Sequence, residues 1–480
     1  MSRPIPRIII AGTQSGTGKT SLSLALVAFL KRRGLRVQTF KIGPDFLDPS
    51  YLTRASGRPC YNLDGWITRK EYVLELFSRT TQDADIAVIE GVMGLFDGSD
   101  PENSEGSTAE MARWLDAPVL LVVNVHGMAR SLSAVVKGCV EFEPGLRIAG
   151  IIANHTGSDR HKDWLTQSLR SASLPPLLGA IPRGAFPTLP SRHLGLTTAD
   201  PQNLPPKILE ELADVLERHL SVDAITEIAR NASSLSLTET GREATPRSKR
   251  VSIGVAYDRA FHFYYPDNLY ELKLRGCDLI FFSPLQDRKL PEEINALYFG
   301  GGYPEEYAQT LSENREMQEA IIQFAGRGLP IYAECGGLMY LTQGIETTRG
   351  EQYPMVGILP VWSRMLNRLK SLGYVEVTLI NNSLWGEKGT VLRGHEFHYS
   401  ELAGPPLDDP LWIPAYRMRR RRSEKTFVEG FQQKNVLASY IHLHWASQAG
   451  SVETFITHCE ANAIINTGIS TTPFLSGIKH

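Results

Sequence analysis

Residues 7–20 read RIIIAGTQSGTGKT, an apolar run that ends in a glycine-rich turn and closes on Gly-Lys-Thr. The run at 7–11 is short, rich in β-branched isoleucine and followed at once by glycine, so it reads as a buried strand. From residue 19 the pattern becomes that of an amphipathic helix as far as residue 33, where Gly34 stops it. A strand, a tight loop and a helix in that order aim the loop's amides at one point, at the positive end of the helix dipole. An anion belongs there. Lys19 is placed to reach the β- and γ-phosphates of a nucleotide, and the Thr20 hydroxyl to ligate magnesium. Gly12, Thr13, Gln14, Ser15, Gly16, Thr17, Gly18, Lys19 and Thr20 are therefore the expected ATP-binding residues. The bland alternative, a glycine turn that binds nothing, is weakened by the strand–loop–helix context.

Outward from this loop, apolar β-rich runs recur at 37–41, 86–90, 119–123 and 148–153, with helical patterns between them. Strands that are apolar throughout and alternate with helices imply an α/β fold, a parallel sheet covered on both faces. Sheet-forming residues thin out after about residue 183. Residues 231–250 (NASSLSLTETGREATPRSKR) are polar, small and almost free of core residues, the composition of a linker. A new alternation then begins: VSIGVAYD at 251–258, CDLIFFSPL at 277–285, ALYFGGGYPE at 296–305 and LPIYAECGG at 329–337. The expected organisation is a phosphate-loop domain at 1–230, a linker at 231–250 and a second α/β domain with its own parallel sheet at 251–480.

At 480 residues, two or three domains are expected. A formal charge of -2 provides no global field for gathering nucleic acid or an anionic membrane, so neither is an expected partner. Five widely spaced cysteines with no CxxC pair argue against a disulfide framework and a zinc site. No apolar stretch approaches membrane-spanning length, and a cytoplasmic enzyme is expected. The one charge cluster, Arg417, Arg419, Arg420, Arg421 and Arg422, reads as a solvated loop; the alternative is a patch facing a polycarboxylate.

Chemistry-bearing residues gather in a few short segments. In IAVIEGVMG (86–94) a carboxylate follows four apolar residues, a place comfortable only for a paired or metal-bound group, so Glu90 is a candidate magnesium ligand. KIGPDFLDP (41–49) sets Asp45 and Asp48 in a proline-bounded turn beyond another strand. In an open α/β sheet that turn shares an edge with Lys19. Asp45 is thus a candidate for magnesium, and Asp45, Phe46, Leu47 and Asp48 for substrate. Asn62 and Asp64 in RPCYNLDGW, and Asp97 in GLFDG, are similarly placed. Further on, YAECGGLMYL (332–341) puts Cys335 on a strand-to-helix turn, the geometry that exposes a nucleophile and, through the helix N-terminus, lowers a thiol pKa. A free cysteine is more often a buried small hydrophobe. Two further segments shift that balance. LYFGGGYPE (297–305) offers backbone N–H groups for an oxyanion hole, giving Gly301 and Gly302 as candidates, with Gly336 beside the cysteine as a third. SYIHLHW (439–445) supplies His442 as a base toward Cys335.

GTQSGTGKT has its first glycine one residue early, since strict spacing wants glycine where Thr13 stands; this variant resembles the dethiobiotin-synthetase branch of phosphate-loop enzymes. ParA/MinD-type motor ATPases look similar but carry a second lysine where this chain has Gln14. YAECGG with a downstream histidine resembles class I glutamine amidotransferases. In order, GTQSGTGKT, KIGPDFLDP, ASGRPCYNLDGW, IEGVMGLFDG, GGGYPE, YAECGGLMYL, RGHEFHYS and SYIHLHW resemble the cobyrinic acid a,c-diamide synthase family over nearly the whole chain. The resemblance implies ATP and Mg2+, glutamine as nitrogen donor and a polycarboxylate tetrapyrrole as substrate. Other macrocycles of the same chemistry stay open (sirohaem, nickel-sirohydrochlorin, hydrogenobyrinate), as do a ParA-like scaffold or motor, a regulator with a dead glutaminase domain, and a homodimer as the assembly. Two departures stand out. Class I glutaminases usually carry a glutamate two residues beyond the catalytic histidine, where this chain has His444. Phe46 and Leu47 stand where many relatives have tyrosine and isoleucine.

Overall fold

The computed structural model describes residues 5–189, 191–192, 195–196, 203–233, 235 and 249–466. The chain divides into two compact units, Met1–Gly241 and Arg242–His480. Most of the expected linker at 231–250 lies outside the described residues.

The first unit is built on seven parallel strands: β1 (Arg7–Gly12), β2 (Val37–Ile42), β3 (Tyr61–Leu63), β4 (Ile86–Glu90), β5 (Val119–Asn124), β6 (Ile148–Thr156) and β7 (Leu177–Pro182). Their order is β3-β2-β4-β1-β5-β6-β7. Successive side chains of β1 point to opposite faces. Ile8 and Ile10 accordingly enter one core, and Ile9 and Ala11 the other. Burial on both sides is why these strands read as unbroken apolar runs. β3 and β7 were not expected. The first has only three residues and the second ends in proline, so neither carries a strong strand pattern.

Because every strand runs the same way, the segments after β1, β2 and β4 emerge at one edge. Register then fixes which residues meet there: Ile10 lies beside Glu90, and Glu90 beside Lys41. Helix α1 (Lys19–Arg32) follows β1, and α2 (Leu47–Ser56) follows β2. The aspartates of KIGPDFLDP are thus not both in a turn: Asp48 lies in the first turn of α2, and Asp45 accepts the Leu47 amide at 2.7 Å. Acids at a helix start are favoured by its dipole.

The second unit departs from expectation. Its main sheet has ten strands, of which Cys277–Phe282, Val251–Ala256, Ala296–Phe299, Ile331–Glu334 and Val436–Ser439 pair in parallel. The sheet continues through Thr426–Gln433, Ile413–Arg420, Ser371–Leu379, Val391–His398 and His442–Leu443, all paired antiparallel. It is a mixed sheet. Antiparallel strands such as Ser371–Leu379 interleave buried with less buried residues, and so do not read as unbroken apolar runs. Of the arginine cluster, Arg417, Arg419 and Arg420 belong to the strand Ile413–Arg420, and Arg421 and Arg422 to the turn that follows it. Arg417 and Arg419 point outward on either side of buried Met418. Arg419 pairs with Glu376 at 2.9 Å and Arg420 with Glu396.

Candidate functional site

In the first unit the loop between β1 and α1 is shaped by contacts that leave no room for larger residues. Gly18 caps α1 in the left-handed conformation at φ 97°, and a Cβ there would meet Asn154 Nδ2 at 2.3 Å. A Cβ on Gly12 would meet Thr17 Oγ1 at 2.3 Å. Glycine alone tolerates both the dihedral and the crowding. The Thr13 amide ties the loop to Val122 at 3.2 Å, whereas Gln14, Ser15 and Gly16 are outermost, with Gln14 carbonyl oxygen accepting from Lys19 Nζ at 3.1 Å. Lys19 also donates to the Met93 carbonyl oxygen, and burial together with Lys41 lowers its pKa.

Beside this loop lies a buried charge cluster. Thr20 Oγ1 donates to Glu90 Oε1 at 2.7 Å, and Lys41 Nζ reaches the same oxygen at 2.8 Å and Asp48 Oδ2 in a still shorter contact. Burial opposes the charge on Lys41, but Asp48, Glu90 and Asp45 overcome it and hold the ammonium well above its ordinary range. Burial pushes Glu90 up to about 7 despite Lys41. Asp45 is raised by burial and by Asp48, while Lys41 outweighs burial at Asp48 and lowers it.

Magnesium fits this donor set. Among the described residues no group of three or more His, Cys, Asp or Glu could hold a metal alone. Magnesium on nucleotide phosphates needs only one or two protein oxygens. Glu90 Oε2 is fully buried and hydrogen-bonds to nothing among the described residues, an orphan that a cation would satisfy.

The remaining candidates hold the surrounding loops. Asn62 donates to the carbonyls of Gly43 and Asp45, at 2.8 Å each, which fixes the bend after β2. Asp64 Oδ1 accepts the amides of Trp66 and Ile67, and Asp97 Oδ2 accepts the Gly94 amide. Phe46 precedes α2, and Leu47 is buried at its start. Two site residues were missed. Lys41 stands at the head of KIGPDFLDP, where a lysine ending an apolar strand was itself a signal. Asn154 at the end of β6 donates to the Thr17 carbonyl at 2.8 Å, and nothing local to its sequence marks it.

In the second unit Cys335 follows the strand Ile331–Glu334 and precedes the helix Gly336–Leu341. Its φ is 48°, rare for a residue with a side chain, as in the strained turn of a nucleophile elbow. The turn is anchored by the Cys335 amide donating to Ser439 at 2.7 Å, and Glu429 accepts from Ser439 Oγ and the Tyr440 amide. The expected depressed thiol pKa is not found. Burial, then Glu305, push it up, against the opposing Gly336 amide. A helix of only six residues offsets little of the lost hydration.

Around the thiol the glycine run and the histidine meet. A Cβ on Gly301 would lie 2.3 Å from His442 Cε1, and one on Gly336 would lie 3.0 Å from the Gly302 amide nitrogen. The Gly301 amide itself donates to Phe263 at 3.2 Å, so the oxyanion role read for it is corrected: what Gly301 supplies is room for the imidazole. The Gly336 amide faces the Cys335 thiol, and the Gly302 amide nitrogen lies against Gly336. His442 is buried, its pKa lowered by burial and by His395 and His398. His444 does not take the place of an orienting acid; its Nε2 faces Asp267 Oδ2 at 3.3 Å. Glu334, also missed by the sequence reading, accepts from Tyr298 Oη, Tyr332 Oη and the Leu443 amide, and so ties the strand before Cys335 to the one carrying His442.

Comparison with known proteins agrees with both halves. Residues 8–196 match the CobQ/CobB/MinD/ParA nucleotide binding domain, and residues 252–450 the CobB/CobQ-like glutamine amidotransferase domain. The cobyrinate a,c-diamide synthase of Syntrophotalea carbinolica is 54% identical over 461 residues, spanning 95% of this chain and 99% of that protein. Proteins of the same name from Leptospira interrogans (46% identical, 96% of this chain, 99% of theirs) and Priestia megaterium (39%, 95% and 97%) match over similar lengths. From the phosphate loop to the histidine pair, this chain belongs to the cobyrinate a,c-diamide synthase family.

Proposed function

We propose that this protein amidates the a- and c-carboxylates of cobyrinate, using ATP and glutamine, as a carbon–nitrogen ligase of cobalamin biosynthesis. The observation that carries the reading is the presence in one chain of both halves of that chemistry. A phosphate loop with Lys19, Thr20 and Glu90 stands in one unit, and Cys335 with His442 over Gly301 in the other.

A carboxylate does not react with ammonia, so it is first activated. Its oxygen attacks the γ-phosphorus of ATP, ADP leaves, and an acyl phosphate forms. Lys19 and the loop amides hold the nucleotide and neutralise charge in this step. Thr20, Glu90 and Asp45 would hold Mg2+, which when bound neutralises phosphate charge. Ammonia then attacks the acyl carbon and phosphate leaves. In the other unit Cys335 gives its proton to His442 and attacks the glutamine side-chain amide, with the developing oxyanion at the amides of Gly302 and Gly336. Ammonia departs with the proton that His442 returns, and water hydrolyses the remaining thioester to glutamate, freeing the Cys335 thiol. Asp45, Phe46, Leu47 and Asp48 would meet the tetrapyrrole beside Lys41, with Asn62, Asp64 and Asp97 holding the loops of that unit.

The test is a panel: cobyrinate, hydrogenobyrinate, sirohaem, and sirohydrochlorin with and without nickel, each with ATP and glutamine, read by product mass. Two amidations of cobyrinate support the reading; amidation of another ring alone would move the protein to a different pathway. In the same assay Cys335→Ala should lose glutamine-supported but keep ammonium-supported amidation, and Lys19→Ala should lose both while still hydrolysing glutamine. Loss of ammonium-supported turnover in folded Cys335→Ala would refute the division of labour.

A further inference from the structure

The histidine base of the second unit lacks the glutamate usually found two residues beyond it, since that position is His444. Proton transfer depends on the geometry in which the base is held. The structure offers another means of orientation. His395, in RGHEFHYS, is the antiparallel register partner of His442. The two rings are stacked, with centroids 4.9 Å apart and planes 14° from parallel. The close approach of their strands depends on Gly394, where a Cβ would meet the His442 carbonyl oxygen at 2.1 Å.

His395 is itself held. Tyr265 Oη lies 2.8 Å from His395 Nδ1, and both residues are buried. The same tyrosine ring packs on His444 at 4.7 Å between centroids, and His444 faces Asp267. His442 is therefore bounded by a flat neighbouring ring and by the backbone at Gly301. We propose that His395, fixed by Tyr265, is the positioning residue for the catalytic base His442, orienting it by ring stacking where class I relatives use a carboxylate. Burial lowers His395 to about 3, so it stacks as a neutral ring.

This inference rests on the reading of Cys335 and His442 as a glutaminase, and the experiment separates the two. Glutamate release and ammonium-supported amidation are measured on the full chain for His395→Ala, His395→Phe, Tyr265→Phe, Asp267→Asn and Cys335→Ala. His395→Ala should lower glutaminase kcat on the order of 100-fold, with KM for glutamine little changed. Ammonium-supported amidation should be untouched. His395→Phe keeps a flat ring and should recover most of the lost kcat, a rescue that a merely structural role would not single out. Tyr265→Phe should fall between them.

Wild-type kcat in His395→Ala, or a change confined to KM, overturns the proposal. So does a kcat loss in Asp267→Asn without one in His395→Ala, which would transfer the role to the Asp267–His444 pair. If His395→Ala does not fold, His395→Phe decides: near wild-type kcat supports stacking, and a 100-fold loss overturns it. If Cys335→Ala still releases glutamate, the glutaminase reading itself has failed, whatever the His395 variants do.

Discussion

The Thr20 hydroxyl donates to Glu90 Oε1 at 2.7 Å, so the last residue of the phosphate loop and the last residue of a strand 70 positions later present oxygens to one point. A cation there would touch both and satisfy the orphaned Glu90 Oε2. Glu90→Gln keeps the shape and removes the charge. It should lower ATP-dependent amidation roughly 100-fold or more, as does the loss of one preorganised charge-stabilising group elsewhere. The magnesium concentration needed for half-maximal rate should rise, while glutamine hydrolysis stays as it was. A magnesium titration that superimposes on wild type would remove Glu90 from the metal site.

Lys41 makes the complementary prediction. It is the cation among Asp45, Asp48 and Glu90, and it is almost wholly buried. Removing one partner from a buried ion cluster leaves uncompensated charge, which typically costs about 3–5 kcal/mol. Lys41→Met should therefore destabilise the first unit by that order, read by denaturant unfolding. Added Mg2+ with ATP should restore part of the loss by supplying a positive charge at the same carboxylates. Unchanged stability would mean that the acids are neutral without Lys41.

Comparing Lys41 with Lys19 explains what the sequence could disclose. Lys19 is legible because its meaning is local: strand, glycine turn and helix are consecutive, and the loop's chemistry follows from residues 12–20 alone. Lys41 meets Glu90 only because β2 and β4 are neighbours in register, a pairing across 49 residues that no local pattern states. The same holds in the second unit. Cys335 announces itself by its turn, whereas Glu334, Glu429 and His395 acquire their places only through strand pairing. The antiparallel half of that sheet was hidden for a related reason. Its strands, such as Ile413–Arg420, carry arginines on an outward face and so read as surface.

Gly301 tests whether room for the imidazole is its contribution. In Gly301→Ala the new methyl would be placed 2.3 Å from His442 Cε1, closer than any real contact, so the ring must swing aside. Glutamine hydrolysis should fall on the order of 100-fold while ammonium-supported amidation continues, because only the geometry of the base is disturbed. An equal fall in both activities would show instead that the substitution had disturbed the chain as a whole and not the base alone.

Glu334 gives the pH dependence. Burial raises it to about 7, against the three donors that favour its charged form. Its pKa is thus higher folded than unfolded, so the folded chain binds the proton more tightly. The stability this contributes is fully present below about 4.5 and is lost as pH rises through about 7. Glu334→Gln cannot ionise and should remove that slope. Unfolding free energies of wild type and variant, measured from pH 5 to pH 8, should diverge by a few kcal/mol, with the variant gaining relative to wild type toward alkaline pH. The gain is a difference in slope rather than in absolute stability, because the amide must still accept from Tyr298, Tyr332 and the Leu443 amide with one oxygen instead of two. Parallel curves across that range would mean that the Glu334 pKa is not raised, and that the donors outweigh its burial.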